Sequence, residues 1–137
     1  MNNKKGFTLV ELAVVIVIIG VLAAFGVPRF REAVERSKAG EAFSYLAAVR
    51  SAQERYHSRQ GTYAIDTNEL DINFPAPKYF SLGTVAGGAD GIEASWDMTL
   101  YRTGASAGYG KYTVEFTEMG YDVNSNIPPR INPMSSN

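Results

Sequence analysis

The clearest absences in this 137-residue chain are of cysteine and of excess charge of either sign. Without cysteine the chain cannot form a disulfide, and cysteine usage says nothing about its compartment. With a formal net charge of −1, nothing in the composition suggests the basic electrostatic footprint of nucleic-acid-binding proteins, so no specific nucleic acid is predicted as a partner. The length suits one small domain, or a domain with an appendage.

Residue patterns typical of catalytic or metal-binding sites are also scarce. His57 is the only histidine, and because no nucleophile is patterned with it, a solvated surface position is favoured over a catalytic base. The acidic and amide residues between 66 and 71 lack the glycine and terminal acid of an EF-hand, which favours turns over a calcium site. The sequence therefore predicts no catalytic residue, no metal ligand and no cofactor, and it does not indicate an enzyme.

What the chain does contain is a long apolar run near its beginning. The run from Phe7 to Val27 is twenty-one residues long, and all of them are Ala, Val, Leu, Ile or Phe except Thr8, Glu11, Gly20 and Gly26. A helix needs about 20 apolar residues to span the hydrocarbon of a bilayer. Residues 7–27 therefore predict a single transmembrane helix.

Glu11 is the one charged residue inside this run, and two explanations of it are open. An acid in the middle of a membrane costs about 2.5–3.5 kcal/mol even on the lenient insertion scale, and less near the interface. Thr8 and Glu11 have the spacing of a capping box, in which the acid satisfies free N–H groups at the helix start. Alternatively, the carboxylate of Glu11 pairs with a cation from a neighbouring chain.

The segment around this acid resembles a known processing site. Lys4-Lys5-Gly6-Phe7-Thr8-Leu9-Val10-Glu11-Leu12 is similar to the leader and cleavage site of type IV pilins and the related pseudopilins. The resemblance implies that prepilin peptidase removes residues 1–6, cutting between Gly6 and Phe7 on the cytoplasmic side. It also implies N-methylation of Phe7, and a role for Glu11 when the pilus machinery assembles the chain. A weaker similarity extends to Gly61-Thr62-Tyr63.

The order of the segments supports this interpretation independently. A secretory signal is cleaved after its apolar region, whereas here the basic residues and Gly6 precede it, so the membrane helix would stay on the mature protein. The freed amine of Phe7 would be cationic or nearly so at neutral pH. In the core of a filament it could pair with Glu11, and removing one partner of such a buried pair costs about 3–5 kcal/mol.

The distribution of basic residues gives an ambiguous topology. Lys4 and Lys5 precede the apolar run and favour a cytoplasmic N-terminus. Four basic residues closely follow the run, so a count of basic residues alone, without the acids among them, favours the opposite orientation; the four are Arg29, Arg31, Arg36 and Lys38. The resemblance implies a single-pass precursor in the inner membrane with a cytoplasmic N-terminus, and later an extracellular pilus on the cell surface.

Helical spacing of apolar residues continues beyond the membrane run, and Gly61 supplies a stop signal. The prediction is one long helix over residues 7–60, apolar all round in residues 7–27 and one-sided afterwards. Pro28 favours a kink, while Gly20 and Gly26 each weaken a helix by about 1 kcal/mol relative to alanine. The glycines equally suit close packing of membrane helices. The resemblance implies that this segment unwinds in filaments.

Residues 61–137 predict a globular head. A connecting region precedes three candidate strands at 78–85, 94–101 and 111–117, and the glycine-rich loop Gly104–Gly110 joins the last two as a hairpin. Residues 124–137, rich in proline and serine, predict an extended or partly disordered tail. The predicted fold class is α+β and pilin-like, with a small antiparallel sheet packed on the long helix. The inward side chains are expected to be Trp96, Met98, Leu100, Tyr112, Val114 and Phe116.

Three classes of function are compatible with these features. The first is a structural subunit of a type IV pilus, a helical homo-oligomer that serves adhesion, motility or DNA uptake. The second is a type II secretion pseudopilin that forms a periplasmic pseudopilus, and the third is an unrelated single-pass membrane protein. Major pseudopilins are expected to carry a calcium-binding loop near the C-terminus. The absence of a convincing acidic loop there favours the pilus.

Overall fold

The computed structural model describes residues 3–135, and one helix occupies the first half of this range. Helix α1 runs from Leu9 to Gln60, 52 residues, or about 78 Å at 1.5 Å per residue. It ends at Gly61, whose φ of 75° is the left-handed conformation that glycine adopts most easily. The N–H of Gly61 donates to the carbonyl of His57 at 2.8 Å, which closes the last turn.

The second half of the described chain forms an antiparallel sheet in the order β1-β2-β3-β4. The strands are β1 (Phe80–Gly87), β2 (Trp96–Arg102), β3 (Thr113–Thr117) and β4 (Gly120–Tyr121). The predicted α+β fold class, a long helix on a small antiparallel sheet, is confirmed. Strand β4 was missed, because two residues carry no period-two pattern to recognise.

Strand β1 lies two residues later than the sequence indicated, and its pairing with β2 is irregular between Leu82 and Val85. Gly83 lies at this irregularity. A Cβ atom on Gly83 would come within 2.4 Å of the carbonyl oxygen of Thr99, so only glycine fits without moving the backbone. The glycine lets β1 approach β2 closely where the register shifts.

The hydrophobic core lies between the sheet and the second half of α1. The six side chains predicted to face inward are all buried, with Trp96, Met98, Leu100 and Val114 fully so. From the helix, Phe43 contacts the sheet through an edge-on arrangement with Phe116 (5.8 Å between ring centroids) and a stack on Tyr121 (5.3 Å). The fully buried apolar residues of the helix follow the three-and-four spacing of one face: Ala39, Ala42, Leu46, Val49 and Ala52.

The C-terminal segment differs from the extended or partly disordered tail that its composition suggested. A short 3₁₀ helix spans Pro129–Ile131, and the side chains of Ile127 and Ile131 belong to the core. The two isoleucines lie four residues apart on either side of consecutive prolines, which restrict the backbone and favour a defined turn. Apolar burial therefore orders this segment as far as residue 135, and the last two residues of the expected tail lie outside the described range.

Candidate assembly site on the N-terminal helix

The first half of α1 leaves its apolar surface uncovered. Every residue from Leu9 to Phe30 is exposed, and large side chains such as Leu9 (83 %) and Phe25 (73 %) are almost as accessible as in an extended chain. The helix is long and apolar enough to cross a membrane, and none of its apolar stretch is buried within the described chain. Such a surface needs lipid or other protein around it.

A capping box at the start of α1 fixes the position of Glu11. The backbone N–H of Thr8 donates to Oε2 of Glu11 at 2.8 Å, and the N–H of Glu11 donates to Oγ1 of Thr8 at 3.2 Å. The capping box, one of the two explanations of Glu11 that its spacing to Thr8 allowed, is therefore present in the isolated chain. Because the cap engages only Oε2 of the carboxylate, it is compatible with a cation approaching the other oxygen.

Gly6 and Phe7 precede this cap and lie outside the helix. Both residues are exposed, and Phe7 retains 84 % of its accessible surface. A peptidase must draw its substrate into an extended conformation, which non-helical and accessible backbone permits. The geometry places the expected cleavage bond immediately before the cap, four residues from the carboxylate of Glu11.

The residues expected to weaken the helix lie within continuous helical structure. Helix α1 passes through Gly20, Gly26 and Pro28 without an interruption. A Cβ atom added at Gly20 or Gly26 would meet no atom of the described chain within 4 Å. Packing within the chain therefore does not require either glycine, and the expected close packing or unwinding concerns contacts with other helices.

Comparisons with known proteins indicate a single family. Residues 1–27 match the prokaryotic N-terminal methylation motif. The chain is 36 % identical over 107 residues to the fimbrial protein EcpC of Eikenella corrodens, an alignment that covers 77 % of this chain and 68 % of the relative. It belongs to the type IV pilin family.

Two further relatives are similar to part of this pilin. The type IV major pilin protein PilA of Myxococcus xanthus is 42 % identical over 68 residues, or 50 % of this chain and 31 % of the relative. The type IV major pilin protein PilE1 of Neisseria gonorrhoeae is 36 % identical over 93 residues, or 64 % of this chain and 43 % of the relative. The chain thus spans less than half the length of either protein. Pilins are structural subunits and not enzymes.

A buried polar centre joins the helix of this pilin to its sheet, and the sequence patterns did not predict it. Nε of Arg102 donates to Oε1 of Glu35 at 2.7 Å, and Nη2 of Arg102 donates to Oε2 of Glu35 at 3.1 Å. The hydroxyl of Tyr112 also donates to Oε1 of Glu35, at 2.7 Å. Both charged side chains are only 1 % exposed. The guanidinium's remaining hydrogen bonds go to the carbonyls of Tyr79, Thr103 and Ala105.

The protonation of this centre follows from its contacts. Burial raises the pKa of Glu35, but the hydrogen bonds from Arg102 and Tyr112 outweigh it, so the net effect lowers the pKa. Burial and the neighbouring Glu35 carboxylate raise the pKa of Tyr112, while the hydrogen bond to Glu35 raises the pKa of Arg102. At neutral pH the centre therefore holds a carboxylate, a guanidinium and a neutral phenol.

Two signals in the sequence could have revealed this centre. Arg102 continues the inward alternation of Trp96, Met98 and Leu100, and Glu35 lies four residues before Ala39 on the buried face of α1. An arginine and a glutamate at two inward positions indicate a pair, because neither charge is tolerated alone in a core. Local patterning could not show that the two positions meet, since 67 residues separate them.

His57 is less solvated than its sequence context suggested. The ring of His57 is half-buried and stacks on Tyr63, with 4.3 Å between the ring centroids. Its Nε2 atom lies 3.0 Å from the carbonyl oxygen of Glu93.

The turn interpretation of residues 66–71 agrees with the 3₁₀ helix Thr67–Glu69, which Asp66 caps. Within residues 3–135, no group of histidine, aspartate and glutamate side chains is arranged to hold a metal ion.

Proposed function

We propose that this pilin is the structural subunit of a type IV pilus filament, assembled from a membrane pool through the first half of α1. The observation that supports the proposal most directly is the uncovered apolar surface of that half, which begins within the capping box of Thr8 and Glu11. As a precursor, the chain has lipid around this surface. In a filament, the helices of sister subunits replace the lipid.

Maturation precedes assembly in this proposal. Prepilin peptidase cleaves between Gly6 and Phe7, and the new N-terminal amine of Phe7 is methylated. A secondary amine remains protonatable, so maturation places a cation next to the capping box and removes Lys4 and Lys5. Intact-mass measurement of sheared filaments is expected to give a chain that begins at N-methylated Phe7, and a chain retaining residues 1–6 would contradict this step.

Glu11 has different partners before and after assembly. In the lone precursor the Thr8 cap and interfacial water satisfy its carboxylate. In a filament the neighbouring helices exclude water, so the charge has to be neutralised within the protein. The amine of Phe7, on the same or an adjacent subunit, is the cation that maturation creates nearby. Glu11 therefore contributes to assembly more than to folding.

The test is the Glu11→Gln variant, followed by separating membrane and sheared-surface fractions from cells. The variant is expected to insert into the membrane normally and to give few or no filaments, because the amide cannot provide the charge. Glu54→Gln, an exposed acid in the second half of α1, is the matched control and is expected to assemble normally. Normal filament yield from Glu11→Gln would reduce Glu11 to a cap, and degraded precursor would indicate a role in folding.

The location of the assembled material tests the class of filament. Filaments released from the cell surface by shearing, with this chain as their main component, are expected for a pilus. Chain found only within the cell envelope would instead support a type II secretion pseudopilus. Negative-stain microscopy with mass spectrometry of the main band distinguishes the two outcomes.

The segment containing Gly20, Gly26 and Pro28 is proposed as the weakest part of α1 inside the filament. Two glycines and a proline lower its helical stability, and its residues are all exposed in the described chain, so burial does little to support it. A filament reconstruction is expected to show lost or lengthened helical hydrogen bonds between residues 20 and 28. Unbroken helix there would reject the weakening while leaving the pilus assignment intact.

A further inference from the structure

The apolar run of α1 ends against a small cavity beneath the head. The cavity has a volume of about 330 Å³ and lies between α1, the loop that joins β2 to β3, and the C-terminal segment. Its charged lining consists of three arginines and one acid, namely Arg29, Arg31, Arg130 and Glu32, and Tyr109 from the loop supplies an aromatic ring. Two separate parts of the chain, α1 and the C-terminal segment, thus bring cations to one place.

These cations are largely unneutralised. Nε of Arg130 lies 3.3 Å from a carboxylate oxygen of Glu32, so this pair accounts for the one acid of the cavity. Arg29 and Arg31 are exposed, and neither makes a salt bridge or a side-chain hydrogen bond to another residue between 3 and 135. The cavity therefore carries an excess of two positive charges, which suits an anion.

The position of the cavity relative to the apolar stretch indicates where an anion bound in it would lie in a membrane. The apolar residues 7–27 form a helix about 30 Å long, which matches the hydrocarbon thickness of a bilayer. Arg29 and Arg31 follow the end of this stretch by about 3 Å and 6 Å along the helix axis. This is the depth of the lipid headgroups, and Tyr109 is of the residue type enriched there.

We propose that this cavity binds the phosphate of an anionic phospholipid headgroup while the pilin is in the membrane. The inference rests on the proposed function in one respect, namely that a membrane-inserted pool of the chain exists. Guanidinium groups form paired hydrogen bonds with phosphate oxygens, so Arg29 and Arg31 are chemically suited to this ligand. The binding also gives a role to the basic residues after the apolar run, which oppose the simple charge rule for topology.

The alternative occupant is an acidic surface of a second pilin copy. The outer face of the sheet bears Asp97, Glu115 and Asp122, which could approach the same arginines in a filament. Lipid is favoured because the arginines already lie at headgroup depth in a single inserted chain, before any second copy is present.

The experiment uses the full chain in nanodiscs containing phosphatidylcholine and phosphatidylglycerol. After release into mild detergent, native mass spectrometry counts the lipids that remain bound to each chain. The wild-type chain is expected to retain phosphatidylglycerol preferentially. Arg29→Gln/Arg31→Gln is expected to lower this enrichment by roughly fivefold for each arginine, the factor that corresponds to about 1 kcal/mol per basic residue.

Two further variants control for charge and folding. Arg59→Gln/Lys78→Gln removes two exposed charges outside the cavity and is expected to keep the enrichment. Arg29→Lys/Arg31→Lys retains the charge and is expected to keep most of it. Fluorescence of the buried Trp96 reports whether the head is folded in each variant.

Three outcomes would overturn the proposal. Unchanged phosphatidylglycerol enrichment in Arg29→Gln/Arg31→Gln would show that the arginines do not hold lipid. If excess inorganic phosphate lowered the lipid retained by the wild-type chain to the level of Arg29→Gln/Arg31→Gln, the result would indicate a site for free phosphate. Lost filaments with unchanged lipid retention would assign the arginines to a contact between copies. Because lipid retention needs no filaments, a chain that retains the lipid but forms no pili would count against the proposed function alone.

Discussion

The two halves of α1 belong to one continuous helix but lie in opposite environments. Residues from Leu9 to Phe30 are all exposed, whereas one face of the second half is buried from Glu35 to Gln53. The first half can be satisfied only by contacts outside the chain, and the second half is satisfied within it. A single uninterrupted helix thus presents an apolar surface to the surroundings of the chain along its first half and a core face to the head along its second half.

The buried face of the second half begins and ends with a polar residue, and each is bonded to the head. Glu35 accepts hydrogen bonds from Arg102 and Tyr112. At the other end, Nε2 of Gln53 donates to the carbonyl of Ala64 and Oε1 of Gln53 accepts from the N–H of Ala64, both at 2.8 Å. Apolar contacts hold the sheet against the helix, and these two directional contacts fix how far the head can slide or rotate on it.

The largest effect is expected from breaking the buried ion pair. Glu35→Ala leaves the guanidinium of Arg102 without its counter-charge in the core, which is expected to lower the free energy of unfolding by about 3–5 kcal/mol. Glu11→Ala, which removes an acid from the exposed half, is expected to leave the unfolding of the head unchanged. Denaturant titration of the detergent-solubilised chain, monitored by Trp96 fluorescence, measures both.

The same centre gives a pH dependence of defined sign. The pKa of Glu35 is lower in the folded protein, so its contribution to stability is complete above its ordinary pKa and is lost as the pH falls through the folded pKa. The wild-type head is expected to lose stability on acidification, and Glu35→Gln is expected to lose less over that range. A parallel loss in both proteins would contradict the lowered pKa.

One substitution made in both halves tests the comparison directly. Leu46 is fully buried and Leu22 is 66 % exposed in the same helix. Leu46→Ala is expected to destabilise the head by about 2–5 kcal/mol, because it removes core contacts and leaves a cavity. Leu22→Ala should leave head unfolding unaffected. Equal effects of the two changes would show that the halves fold as one unit.

Local patterns in the sequence were sufficient to predict the division of α1 and most of the sheet. The apolar run separates residues 7–27 from the one-sided stretch after Pro28, and strict alternation predicted the inward side chains of β2 and β3. Patterning of this kind reports burial, but it does not report which distant positions meet. The bond between Glu35 and Arg102 was missed for this reason.

The C-terminal segment and the candidate site show the other limits. Proline and serine suggested disorder, yet Ile127 and Ile131 bury enough apolar surface to order the residues around them. The capping geometry of Glu11 followed from its spacing to Thr8, because a cap is local. A filament contact depends on surfaces of several chains, so one sequence could only suggest it through resemblance.

A smaller effect is expected at the other polar end of the buried face. Gln53→Ala removes two hydrogen bonds and leaves the buried N–H and carbonyl of Ala64 unpaired, which costs about 1–3 kcal/mol. Gln60→Ala, at the exposed end of α1, is the matched control. Hydrogen exchange is expected to accelerate at the amide of Ala64 in Gln53→Ala. Unchanged exchange there would show that the apolar contacts alone hold this segment.

The smallest effect concerns Asp97, which, unlike Glu35, makes no salt bridge to any residue between 3 and 135. Asp97 lies on the outer face of the sheet near Asp122 and Glu118, and burial together with these two carboxylates raises its pKa. A raised folded pKa means that stability is lost as the pH rises through it, which is the opposite sign to Glu35.

Asp97→Asn is therefore expected to stabilise the head at pH 7 by about 0.5 kcal/mol, the scale of a partly exposed charge interaction. The gain should vanish below the ordinary pKa of aspartate, where the wild-type carboxyl is protonated in both states. Urea titrations of wild type and Asp97→Asn at acidic and neutral pH measure the difference. A neutral-pH loss of stability in Asp97→Asn would mean that the carboxylate has a favourable contact that outweighs the repulsion.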